Sequence, residues 1–173
     1  MVRFQRIDVS VIAPSLFSFR QPHEDGPSYH PVVATLSLGS HTVFNYYRYN
    51  ADDSPLSEHK SVSSPAGRGR PIDPKPVASI LLEQRSLIIT SGDLYEHYLH
   101  GIDDVIEDVF CGPQDAIDKP YTTIANTRLL GDSTIRDIVL YGGILKRHVR
   151  YSLTCRDVER VMNPSAFAVG RSR

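Results

Sequence analysis

Short runs of alternating apolar and polar residues, punctuated by glycine and proline, cover much of this chain. Val32 to Tyr47 mixes Val, Thr, Leu, Phe and Tyr with stretches of alternation, which predicts one or two strands around Gly39. Ser79–Leu82 and Ser86–Thr90 read as a hairpin turning through Glu83-Gln84-Arg85. Asp93, with Glu96 three residues later, reads as a capped short helical turn that delivers the chain to His100. Ile102 to Phe110 has helical spacing, and the stretch from there to Asp137 is loop-like. Asp137 to Val161 reads as a last strand pair, bent at Gly142-Gly143, and 163–173 as a tail, frayed from Phe167 on. Residues 52–76 are rich in Ser, Pro, Gly and charge and predict a long, disordered surface loop. Many short strands with little helix predict an all-β sandwich or jelly roll.

Bulk properties bound this picture loosely. The 173 residues suit one domain with a sizeable core. A formal net charge of −1 gives no overall attraction to polyanions. The one basic cluster, Lys146-Arg147-His148, reads as a solvated strand end. Two cysteines, Cys111 and Cys155, make no disulfide framework and suit a reducing compartment, the nucleus and/or cytoplasm. No apolar run is long enough to span a membrane as a helix, and the first twenty residues carry no evident cleavage site for a targeting peptide.

Candidate chemistry starts at His23-Glu24-Asp25. On a strand, His23 and Asp25 point to one face, about 6–7 Å apart along it, close enough to lean onto one ion. Two His and one carboxylate with open positions are the usual ligand set of non-haem Fe(II) oxygenases. A third ligand would come from His30, His41, His59, His97, His100 or His148; His100, followed by Gly101, is modestly favoured by spacing. Near the end, Arg150, Ser152, Thr154 and Arg156 share one face of a strand, and Tyr151, Leu153 and Cys155 share the other. The second face is apolar and reads as core, with Cys155 a buried thiol. The first face presents two cations over a floor of small hydroxyl residues, a gap suited to a short dicarboxylate, because the arginine fork binds carboxylate bidentately. Taken singly, His-x-Asp reads as a chance pair and the two Arg as a solvated polar face.

Together, in order, these pieces resemble a known family. Pro22-His-Glu-Asp-Gly-Pro27, Ser37-Leu-Gly-Ser-His-Thr-Val43, Ser79-Ile-Leu-Leu-Glu-Gln-Arg-Ser-Leu-Ile-Ile89, Leu99-His-Gly-Ile102 and Arg150-Tyr-Ser-Leu-Thr-Cys-Arg156 are similar to the AlkB-like Fe(II)/2-oxoglutarate dioxygenases, in particular the subgroup called AlkB homologue six. The resemblance implies a distorted double-stranded β-helix with a metal at its open mouth. It implies His23, Asp25 and His100 as iron ligands, Arg150 on the distal carboxylate of 2-oxoglutarate, and Arg156 as the second Arg, nearer the metal end. It implies Fe(II), 2-oxoglutarate and dioxygen as cofactor and co-substrates, and oxidative hydroxylation or demethylation of an alkylated substrate, with nucleic acid or a protein as partner. No side chain is assigned as a catalytic acid or base, and a monomer is expected. The family's Asn-x-Tyr element, about eleven residues before the metal His, is here Ile12-Ala13-Pro14. Residues 1–21 are therefore expected to be a non-family segment joined to a dioxygenase domain at 22–162, as in a truncated gene product. Poor or absent turnover follows from that expectation. The alternatives are a catalytically impaired binding module of the same fold and a protein-directed 2-oxoglutarate hydroxylase.

Overall fold

The computed structural model describes residues 6–12, 22–50, 70–113 and 123–157. Among the described residues nine strands and two α-helices run in the order β1 (Arg6–Ile12), β2 (Val32–Gly39), β3 (Thr42–Tyr47), β4 (Ala78–Leu82), β5 (Leu87–Ser91), α1 (Asp93–Glu96), β6 (Leu99–Gly101), β7 (Glu107–Phe110), α2 (Ser133–Tyr141), β8 (Gly143–Lys146) and β9 (Arg150–Arg156), with a 3-10 turn at Thr127–Leu129 before α2. They form a four-stranded sheet ordered β1-β9-β2-β5, a three-stranded sheet ordered β4-β3-β6, and the pair β7-β8. Every strand pairing within these sheets is antiparallel. The result is the jelly-roll-like, mainly β architecture expected from the strand pattern. Among the described residues no helix is long and apolar enough to cross a membrane.

Val32 to Tyr47 does form two strands, but they belong to different sheets. Gly39 makes the corner. Its φ of +82° is left-handed, and a Cβ there would lie 2.5 Å from the Val149 carbonyl oxygen, so only glycine fits. Ser40 fastens the corner to the chain entering β9, its N–H donating to Val149 O and its Oγ accepting from His148 N.

Three expectations are corrected. Strands β4 and β5 are not a hairpin: β4 pairs with β3 and β5 with β2, and residues 83–86 carry the chain between sheets. Alternation defines each strand's faces but not its neighbour. Ile102 to Phe110 is not helical, because its last four residues are β7. Its apolar residues Val105, Ile106 and Val109 stay exposed, while Asp108 is buried at 8 % exposure. Asp137 to Tyr141 is helix, and β8 pairs with β7 rather than with β9. In α2, Asp132 accepts from Thr134 N and Ile135 N as the N-cap, and Ile135, Ile138 and Val139 lie on one face against Val43, Leu81, Phe110, Ile124 and Leu130.

Two smaller expectations also change. The short helix α1 begins after Gly92 without a side-chain cap, so Asp93 and Glu96 do not form a capping box. Of the expected loop, 51–69 lies outside the described residues. The remainder is tied down beside β3, with Asn50 N donating to Pro71 O, Asp73 N to Arg48 O and Val77 N to Tyr46 O.

Candidate metal centre

The two facing sheets are stitched together by contacts between their inner faces. Tyr46 on β3 bonds Thr90 on β5 through their hydroxyls at 2.6 Å, and Phe44, Tyr46 and Leu82 form a cluster against Ile88. Toward one end this interior changes character. Apolar side chains give way to Thr35, Thr42, Ser152, Thr154 and a set of charged groups around a cavity of about 100 Å³.

His23, Asp25 and His100 meet at this cavity, with one ligand atom from each within 4.8 Å of the others. Backbone bonds bring the two histidines together: His23 N donates to His100 O at 3.0 Å and His100 N to His23 O at 2.9 Å. Their rings lie 4.5 Å apart, and Phe44 stacks on His100 at 5.4 Å with the planes 15° apart. His100 sits on β6, opposite Tyr46 of β3, so the central strand of the smaller sheet fixes its position. Asp25 is not on a strand with His23. It lies in irregular backbone beyond the single bridge at His23, and the following turn is held by Tyr95 OH donating to Gly26 O.

Arg156 fixes the Asp25 carboxylate. Its Nε and Nη2 both donate to Oδ1, leaving Oδ2 turned toward His100 Nε2 at 3.9 Å. Burial lowers the His100 pKa to about 4, with the Asp25 charge opposing and His23 adding to the effect. The imidazole is neutral at pH 7 and keeps a lone pair for a cation.

Arg150 is 3 % exposed and far from ordinary for a guanidinium. Its Nη2 donates to Ser37 Oγ at 2.7 Å, while its Nε has no partner among the described residues. Burial, and then the nearby Arg147 charge, lower its pKa to about 10. The other two cations of the cavity are matched, Arg156 by Asp25 and Arg147 by Asp108. Asp108 takes Arg147 bidentately, Nε at 2.8 Å and Nη2 at 2.6 Å, and also His41 Nε2 at 3.1 Å. Arg147 is thus buried in an ion pair, not at a solvated strand end as its neighbours in sequence suggest.

The faces of β9 are reversed from expectation in one respect. Arg150 and Ser152 are buried and, with Thr154 and Arg156, line the cavity. The apolar face is the outer one: Tyr151 is 47 % exposed, and Leu153 and Cys155 are half-buried rather than core. Of the other candidate histidines, His41 and His148 also line this cavity but are not in the His-Asp-His group. His97 lines a separate groove with Glu24 and Arg70, His41 is engaged by Asp108, and His59 is outside the described residues. Ser37 and Thr42 stand inside a motif that carries the resemblance, but nothing in the sequence assigned them a role, and the Arg147–Asp108 pair was not foreseen. The nearest signal for the pair was Arg147 itself, three residues before the start of the Arg-bearing strand.

No protein-family model matches the chain. Over 146 residues it is 32 % identical to a Danio rerio protein named "Probable RNA/DNA demethylase ALKBH6", a match covering 84 % of this chain and 50 % of that protein. The chain belongs to the AlkB-like family. It spans about half the length of that relative. The residues fit the groups this family implies. Two imidazoles and one carboxylate suit a divalent transition metal, and a buried cation with no anion among the described residues suits a carboxylate ligand.

Proposed function

We propose that this chain is an Fe(II)- and 2-oxoglutarate-dependent dioxygenase domain acting on an alkylated substrate, with nucleic acid as the substrate class. The observation that carries the reading is a single cavity holding both a His-Asp-His group within 4.8 Å and buried Arg150, which has no carboxylate partner among the described residues. When bound, Fe(II) supplies the redox chemistry that couples oxidation of 2-oxoglutarate by dioxygen to hydroxylation of the substrate.

The protein's own work is positional. His23, Asp25 and His100 hold the metal. Arg156 orients Asp25 so that Oδ2 faces the metal position. Arg150 binds the far carboxylate of 2-oxoglutarate, which orients the other end toward the metal. Phe44, stacked on His100, shields one face of that ligand from water. The nucleic-acid assignment is supported by the name of the Danio rerio relative.

The test has two stages. The Mn(II)-loaded chain is titrated with 2-oxoglutarate by calorimetry, and the Fe(II)-loaded chain is assayed for succinate with a methylated oligonucleotide and with a peptide library. Binding followed by oligonucleotide-dependent succinate supports the full reading. Succinate with peptides alone moves the substrate class to protein. Binding without turnover on either points to an impaired binding module. No binding of 2-oxoglutarate sinks the reading.

A further inference from the structure

Thr42 carries a second buried polar atom of this cavity that no described residue satisfies. The residue is 2 % exposed, and its Oγ1 has no hydrogen-bond partner among the described residues. It lies at the start of β3 and lines the same cavity as Arg150. The two are linked through the corner at Gly39. Gly39 stands directly opposite Arg150 in the β2–β9 ladder, and the chain reaches Thr42 only three residues later. An unbonded hydroxyl and an unbonded Nε on residues that line one cavity are each costly alone, and one anionic acceptor between them would relieve both. The charges in the cavity point the same way. Arg156 and Arg147 are paired with Asp25 and Asp108, and Arg150, which has no carboxylate partner among the described residues, stands opposite Gly39 at this corner.

We propose that the Thr42 hydroxyl is a second anchor for the far carboxylate of a 2-oxo dicarboxylic acid seated on Arg150. The inference rests on the co-substrate reading above and adds a residue to it. Arg150 supplies the charge and Ser37 holds the guanidinium in place by accepting from its Nη2. Thr42 then donates one directional hydrogen bond from the opposite sheet. Because Arg150 comes from the larger sheet and Thr42 from the smaller, the bound carboxylate bridges the two.

The experiment uses the Mn(II)-loaded full chain and two variants. Thr42→Val keeps the shape and removes the hydroxyl; Thr42→Ser keeps the hydroxyl. Mn(II) affinity and the thermal midpoint are measured alongside 2-oxoglutarate affinity, so that a folding defect is visible. The expected result is 2-oxoglutarate binding about tenfold weaker in Thr42→Val, near wild type in Thr42→Ser, and Mn(II) affinity unchanged in both. Equal 2-oxoglutarate affinity in wild type and Thr42→Val, with Arg150→Ala still impaired, overturns the role of Thr42 and leaves the co-substrate reading standing. Equal losses in the Val and Ser variants also overturn it, since the hydroxyl is then not the cause. If the wild-type chain binds no 2-oxoglutarate, the co-substrate reading fails and this inference with it.

Discussion

Arg156 places two of its nitrogens on the same oxygen of Asp25 and leaves the other oxygen facing His100. The residue expected beside the co-substrate is therefore engaged on the carboxylate of the candidate metal group. A side chain that orients a metal ligand typically changes metal affinity 10- to 100-fold when removed. Arg156→Lys keeps the charge but cannot place two nitrogens on Oδ1. Mn(II) titration should show it weakened by about tenfold, and Arg156→Ala more. Unchanged Mn(II) affinity in both would argue that Asp25 needs no such support.

Removal of a ligand should be more severe. Asp25→Ala and His23→Ala are expected to lose iron on purification, measured as metal per chain by emission spectroscopy. His97→Ala is the control, because His97 lies in a separate groove with Glu24 and Arg70. Equal metal content in all three would mean that the site is misassigned.

Arg150→Lys should separate the two ligands. The ammonium keeps the charge but has no planar fork, so 2-oxoglutarate binding should weaken while Mn(II) binding holds. A charge-assisted hydrogen bond is worth about 1.5–3 kcal/mol, which sets the expected loss at tenfold or more. Calorimetry on the Mn(II) form reads both quantities. Parallel losses of metal and 2-oxoglutarate would contradict the division of labour.

Asp108 gives the fold an acid-sensitive point. Burial pushes its pKa up, but hydrogen bonds and charge from Arg147 and His41 outweigh it, and the net shift is downward. A carboxylate with a depressed folded pKa contributes stability that is fully present above the unfolded value, about 3.9, and is lost as pH falls through the folded value. Denaturant midpoints of wild type and Asp108→Asn should therefore differ most at neutral pH and converge below about pH 4. At pH 7, Arg147→Ala leaves Asp108 buried without its cation and should cost about 3–5 kcal/mol. A pH-independent gap between wild type and Asp108→Asn would show that the carboxylate's charge is not what the pair stabilises.

The orientation of β9 sets an apolar residue of its outer face against one of the core. Tyr151, on the outer face, should tolerate Ser within about 0.5 kcal/mol. Leu81, 1 % exposed between Val43 and Ile124, should lose about 2–5 kcal/mol as Ala. Chemical denaturation of the two variants decides it, and a large loss at Tyr151 would reverse the assignment of faces.

The sequence by itself determined the local elements with strong alternation and the ordered chemistry. Val32 to Tyr47, the strands after Ser79, and the shared face of Arg150, Ser152, Thr154 and Arg156 follow from the two-residue repeat of a strand. The order of His23, Asp25, His100 and the two arginines carried the family resemblance. Tertiary structure decided what local pattern cannot encode. The turn at Glu83 to Ser86 looks the same whether it closes a hairpin or crosses between sheets, because pairing is a long-range choice. Ile102 to Phe110 has helical spacing, yet Asp108 goes inward, since Arg147 and His41 arrive from segments distant in sequence to compensate its charge. On β9 the apolar side faces out because the inner side is occupied by a polar cavity. Burial there follows from hydrogen bonds and ion pairs to Ser37 and Asp25, contacts that exist only once β2, β9 and the loop after His23 have come together.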